Sequence, residues 1–339
     1  MDKENLIILT NEKIYENNGS YCDNIDIKNL SEKLNNYFNV CLIGRKSSQK
    51  RFHQINLKNI RIFKNIFSSL YNLSEFTFNK NTKYLIVSIT PFTFFNLILL
   101  KVFKKKVFIY FRSDGFSEYK KIIGFLGPII YGAMFFISTK LSILISCRNY
   151  ILRGRKGLIV RPSQLNDKWL SNKKNSDLSG INLLYVGRLK IEKGVYSLAK
   201  ILKNKENISL TMLGAENFQL NNFEQKNVEV LRIESNEDKL IDLYDSHNIF
   251  ILPSFTEGHP MVLLEALSRL RPVIVFKEIE HVIGNKKGIF VSERNYDSLE
   301  KTIQHIIKNY KSIQEEMKKN ILPTNYKFIE DFKNIILDN

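Results

Sequence analysis

Apolar runs of strand length alternate with helix-period segments along both halves of the chain. Short apolar runs bounded by polar turns suit strands buried on both faces, and the 3.6-residue periodicity between them suits helices laid over a sheet. The first half gives strands at 6–9, 40–43, 84–88, 107–111 and 141–146. Between the second and third of these, Ile60, Phe63, Phe67 and Leu70 fall at helical spacing and predict one helix. The second half repeats the arrangement with strands at 183–186, 210–213, 228–231, 249–252 and 273–276. This alternation implies an α/β protein of parallel sheets covered by helices.

A length of 339 residues suits two such domains. The polar stretch 164–180, rich in Asn, Ser and Lys and without apolar periodicity, reads as the linker. The expected division is 1–165, 166–320 and a closing helix at 321–339. That helix carries an apolar stripe, Phe328, Phe332, Ile335 and Ile336, which needs a surface to cover, and it is expected to pack back on the N-terminal domain. Residues 122–139 contain no charge and have the length of a membrane-span candidate. Gly124, Gly127, Pro128 and Gly132 disfavour one long helix, and Lys120, Lys121 and Lys140 flank the segment. A buried helix, an interfacial helix and a span are the three readings.

Charge changes the picture of the first half only. Residues 1–170 hold 27 Lys and Arg against 11 Asp and Glu, so nearly all of the net +17 sits there. An anionic membrane surface suits that asymmetry, as would Lys-rich codon usage acting alone. No nucleic-acid module accompanies it, and a nucleic-acid partner is not expected. Three widely spaced cysteines, Cys22, Cys41 and Cys147, give neither a disulfide framework nor a metal-ligand spacing. With a first apolar run too short for a secretory signal, a cytoplasmic protein is expected.

Two constellations carry chemistry. In Leu-Leu-Tyr-Val-Gly-Arg-Leu-Lys-Ile-Glu-Lys-Gly-Val, residues 183–195, a strand ends at Gly187 and a helix begins near Gly194. A loop at a strand's carboxyl end followed by a helix N-terminus is where α/β sheets bind ligands, and Arg188 and Lys193 add two cations fit for a diphosphate. Residues 249–267 form a strand ending at Pro253, a loop with Glu257 and Gly258, and an apolar helix opened by Pro260 in which Glu265 stands alone as a charge. A buried carboxylate needs a partner, and a sugar diol or Arg269 four residues on are the candidates.

Together, Gly-Arg-x4-Lys-Gly and, about 65 residues later, Pro-Ser-x2-Glu-Gly-x-Pro-x4-Glu-Ala resemble the retaining glycosyltransferases of family 4, which have the GT-B fold of two facing Rossmann-like domains. The similarity runs from about Asn182 to Leu299. It implies transfer of a hexose from a nucleotide-diphospho-sugar, a UDP-sugar, to a saccharide acceptor that is lipid-linked, in the making of a bacterial lipopolysaccharide, capsule or exopolysaccharide. It implies that Gly187, Arg188 and Lys193 hold the diphosphate, that Glu265 takes the ribose hydroxyls, and that Glu257 contacts the hexose beside Gly258, His259 and Pro260. Gly214 and Ile233 would lie near the base. With no Asp-x-Asp sequence present, neither metal nor cofactor is required.

Two departures stand out. Leu270 occupies the position at which the family usually has Gly, and a left-handed helix cap there would be costly, so the helix is expected to end differently. No histidine stands where many relatives place one near the reacting sugar, and Arg112 and Asp114 are the substitutes, with Gly19 in a loop after the first strand as a further acceptor-side candidate. Loss of that His leaves a catalytically silent relative that binds a nucleotide sugar or a partner enzyme as the alternative. The expected location is the inner face of the cytoplasmic membrane, held peripherally.

Overall fold

A computed structural model describes residues 3–79, 81–215, 223 and 225–339. Two compact units divide the chain: 1–162 with 325–339, and 163–324. In the first unit lie β1 (Asn5–Glu16), β2 (Ser20–Cys22), α1 (Ile25–Leu34), β3 (Asn39–Lys46), β4 (His53–Ile55), β5 (Asn59–Phe63), α2 (Ile66–Thr77), β6 (Thr82–Val87), α3 (Pro91–Val102), β7 (Val107–Phe111), α4 (Gly115–Ile123), α5 (Gly127–Leu141), β8 (Ile143–Ser146) and β9 (Leu158–Ile159). The second holds α6 (Asp167–Leu170), β10 (Ile181–Val186), α7 (Val195–Ile201), β11 (Ile208–Ala215), β12 (Val228–Arg232), α8 (Glu237–Ser246), β13 (Ile249–Leu252), α9 (Met261–Ser268), β14 (Val273–Phe276), β15 (Ile289–Ser292), α10 (Tyr296–Lys308) and α11 (Tyr310–Lys318). The last helix, α12 (Asn325–Asp338), returns to the first unit, where Phe328 and Phe332 pack on Tyr110 of β7.

Parallel strands run β5-β3-β1-β6-β7-β8-β9 in the first unit, with β2 and β4 added antiparallel beyond the bulge in β1. The second unit is parallel throughout, in the order β12-β11-β10-β13-β14-β15. That order reverses direction between β10 and β13, so the loops leaving their carboxyl ends open a crevice at a topological switch point. Both cores are built as the apolar runs require, with residues such as Leu6–Leu9 and Ile249–Leu252 almost fully buried.

Three expectations need correction. Ile60 and Phe63 belong to β5 and Phe67 and Leu70 to α2, so the helical spacing joined two elements across the turn capped by Asn65. The 122–139 run is no single helix. Its backbone reverses at Gly124 (φ +74°), and α4 and α5 fold into a hairpin in which Gly115 lies against Tyr131 and Gly127 against the Tyr119 carbonyl. Counted as one run, Gly115–Leu141 is long and apolar enough to cross a membrane, and little of it is buried.

Leu270 gives the third correction, since it does adopt the left-handed conformation (φ +56°). Arg271 N donates to Ala266 O at 2.9 Å and Leu270 N to Leu267 O at 3.1 Å, the paired bonds of a Schellman end. A strain of roughly 1–2 kcal/mol is offset because Leu270 is itself buried and its neighbours are anchored. Arg269 pairs with Asp245 at 2.5 Å and donates to the carbonyls of Trp169, Ser171 and Asn172, while Arg271 donates to Lys174 O and Asp245 O. Two fully buried arginines thus clamp the start of the second unit to the end of α9, inside the stretch expected to be a loose linker.

Candidate functional site

The two constellations meet at the switch point of the second unit. Gly187 ends β10 with φ +150°, and Tyr185 donates its hydroxyl to Arg188 O at 3.0 Å, which pins the loop while Arg188 itself stays exposed. Gly194, with φ +70°, turns the chain into α7; a Cβ there would lie 1.9 Å from Pro253 O. Only glycine permits that approach of the loop after β10 to the loop after β13. Phe255 N donates to Glu192 O at 3.0 Å and ties the same two loops together. Gly214 in β11 rests on the Gly187 carbonyl, with 2.2 Å left for a Cβ.

Lys193 and Glu257, 64 residues apart in sequence, pair at 2.6 Å. Glu257 Oε1 also accepts from Ser254 Oγ at 2.6 Å, and Ser254 is fully buried. An ammonium group has three protons, so Lys193 can hold Glu257 and still donate to a second acceptor. Gly258 and His259 lie half-buried before Pro260, which is the N-cap of α9 rather than its first helical residue. Pro260 lacks a donor, so the first helical N–H groups belong to Met261 onward.

Glu265 is buried on α9 as its apolar surroundings require, and Tyr244 Oη donates to its Oε2 at 2.8 Å. Burial first, and the Glu265 charge second, hold the Tyr244 hydroxyl well above its ordinary pKa, so it remains a donor. Arg269, the helical neighbour considered as partner, is instead engaged by Asp245. Ile233 is exposed just past β12.

Sequence reasoning missed three residues, two that hold the Glu257 loop and one that holds Glu265. His281, which follows β14, bonds Glu257 O through Nε2 at 2.8 Å. Arg294, after β15, pairs with Glu278 at 2.6 Å, donates to Ser254 O at 3.4 Å, and lies over the rings of Phe255 and Phe276 at 4.0 and 4.3 Å. Tyr244 is the third. All come from neighbouring strand ends or helices with no sequence signal that sets them apart.

In the first unit Arg112 follows β7 and pairs with Asp26 at 2.8 Å. Asp114 caps α4, accepting from Phe116 N at 3.2 Å and Ser117 Oγ at 2.6 Å, with Arg153 at 3.4 Å. Gly19 sits in the β1–β2 turn. Cys22, Cys41 and Cys147 are free and buried, and burial raises the Cys41 and Cys147 thiols to about 11. They are unsuited to nucleophilic work. Among the described residues no group of three or more His, Cys, Asp or Glu side chains is placed to hold a metal.

Comparison with known proteins bears on the family and the fold. Residues 167–322 match the family described as glycosyl transferases group 1. A capsular polysaccharide biosynthesis glycosyltransferase, CapM of Staphylococcus aureus, is 27% identical over 174 residues, 47% of this chain and 45% of that one. The chain therefore spans less than half of this curated relative. Among solved structures, sucrose-phosphate synthase from Thermosynechococcus elongatus superposes with a TM-score of 0.67 at 13% identity over 99% of both chains. HepE of Anabaena in complex with UDP gives 0.67 at 9% identity over 99% of this chain and 95% of its own. At such identities the likeness shows the fold, which is GT-B.

Proposed function

We propose that this chain, whose second unit belongs to the group 1 glycosyltransferases, transfers a hexose from a UDP-sugar to a saccharide acceptor with retention of configuration, in the assembly of a bacterial surface polysaccharide. One observation carries the reading: at the β10–β13 switch point Lys193 pairs with Glu257 at 2.6 Å, which joins the loop that carries Arg188 to the loop that leads into the helix of Glu265. The diphosphate lies against Arg188 and the Lys193 protons not given to Glu257. Glu265, held by Tyr244, takes the ribose diol, and Glu257 meets the hexose. UDP in the HepE structure and the capsular role of CapM support the donor and the product class.

In the reaction the bond between the anomeric carbon and the diphosphate oxygen breaks, and its electron pair stays on the diphosphate. The acceptor hydroxyl oxygen bonds the anomeric carbon and its proton passes to the departing diphosphate. Arg188 and Lys193 meet the growing negative charge, a role that preorganised cations fill without a metal. On the acceptor side Arg112 and Asp114 remain the candidates, Asp114 serving also as the cap of α4. The acceptor is lipid-linked and reached from the cytoplasmic face of the membrane. Thermal stabilisation by UDP, set against other nucleoside diphosphates, tests the donor site; a protein that no nucleotide stabilises would overturn the reading. Release of UDP from the donor in the presence of acceptor separates an enzyme from a silent binder.

A further inference from the structure

The first unit carries a surface that the transfer reaction does not use. α2 packs beside α3, and α3 beside α5. Their right-handed crossovers, β5 to β6, β6 to β7 and β7 to β8, all advance in one direction, so these helices cover one face of the sheet. Fourteen of the 27 exposed large apolar side chains of the described residues lie on α2, α3 and the α4–α5 hairpin or at their ends, within less than a quarter of the chain. On α2, Phe67, Tyr71 and Phe78 form a stripe at helical spacing, with Phe67 82% exposed. Phe95 continues it on α3, and Phe125 (80% exposed) and Ile129 (66%) stand at the hairpin tip. Side chains of this kind normally go inside, and a patch of this extent marks a partner.

The charge around the patch identifies that partner. Residues 61–140 hold 12 Lys and Arg against 3 Asp and Glu. Of the acids, Glu75 is paired with Arg61, and Asp114 with Arg153. Lys140 lies 4.0 Å over the ring of Phe136, and Arg155 5.5 Å from it, so cations border an exposed aromatic of α5 directly. Two copies joined through this face would bring like charges together. Aromatic and aliphatic side chains ringed by long basic ones match the interface of an anionic bilayer, where the stems enter the boundary and the charges meet lipid phosphates.

We propose that the outer face of α2, α3 and the α4–α5 hairpin is one continuous docking surface for an anionic lipid bilayer. The inference deepens the reading of a membrane-borne acceptor by naming the surface, and it reaches beyond the charge-free 122–139 segment to include α2. The protein rests on the bilayer without crossing it, because the run long enough to span reverses at Gly124.

The test is sedimentation of the full chain with vesicles of phosphatidylcholine alone or mixed equally with phosphatidylglycerol. The wild type should bind the mixed vesicles, bind neutral ones far less, and be partly released by high salt. F125Q/I129Q should lower the binding constant by about tenfold or more, and F67Q/Y71Q by roughly fivefold, since each removes interfacial apolar area without changing charge. I321Q, at a 99% exposed residue of the second unit, should bind like the wild type. No binding to anionic vesicles at low salt overturns the proposal. So does wild-type binding by F67Q/Y71Q, which would confine the surface to the hairpin. Lipid-free dimers that the same variants dissolve would assign the face to a second copy, and resistance to alkaline extraction would make the hairpin a span. Stabilisation by UDP, measured on the same samples, reports on the nucleotide site alone: its absence in the wild type sinks the proposed activity and leaves the vesicle result standing.

Discussion

Single residues at the switch point divide into those the sequence displays and those only the fold reveals. Arg188, Lys193, Glu257 and Glu265 are legible because chemistry-bearing residue types sit at strand ends or alone on an apolar helix. Tyr244, His281 and Arg294 are not, because their partners are a helix or a loop brought close by the sheet order. Neutralising a charge that stabilises the leaving group costs about 10²-fold or more in rate when the group is preorganised. R188A should lose that much turnover while melting close to the wild type, as its side chain is exposed, and K193A should lose as much turnover and some stability, because it leaves the Glu257 carboxylate without its ion pair; near-normal transfer by both would refute the diphosphate assignment. E265Q should weaken UDP binding, since ribose is common to donor and product, whereas E257Q should spare it and impair transfer. Calorimetry with UDP separates the two, and equal losses would contradict the division of labour.

Elements were predicted well wherever an apolar run had a single reading. The strands at 107–111, 249–252 and 273–276 were placed with the boundaries the structure gives, because each is buried on both faces and ends in polar residues. The 60–70 segment misled because a partly exposed strand followed at once by a helix can imitate one helical period. β2 and β4 are three residues each, too short for a pattern. Leu270 shows a local cost overruled by its surroundings, for the buried Arg269 and Arg271 fix the turn that glycine would have made freely. Gly194 makes a sharper demand, having both a positive φ and a backbone carbonyl where its Cβ would stand. G194A should therefore part the loops after β10 and β13, lowering UDP affinity by an order of magnitude or more while the far-UV spectrum is kept, with an estimated 1–3 kcal/mol for the strained conformation alone. A variant with wild-type UDP affinity would show that the loops need not touch.

At the scale of the whole molecule the decisive element is α12, which leaves the second unit after residue 324 and completes the core of the first. Its stripe is visible in the sequence, and its return to the first domain is what the expected fold calls for; periodicity alone tells that a face is buried and never against what. Phe332 is fully buried and meets Tyr110 edge-on at 4.8 Å, with Phe328 against both. Truncating a buried Phe to Ala costs about 3–5 kcal/mol through lost transfer energy and the cavity left behind. In a unit of this size that lowers the midpoint by on the order of 10 °C. The residues proposed to hold UDP, in contrast, all belong to the second unit. Calorimetric scans of F332A should thus show the first unit melting earlier, while saturating UDP raises the second unit's transition as it does in the wild type, by an amount equivalent to about 2.7 kcal/mol at a hundredfold excess over Kd. Loss of the UDP response in F332A would mean that the nucleotide site depends on the first unit's core, and the assignment of the donor site to the second unit alone would have to be withdrawn.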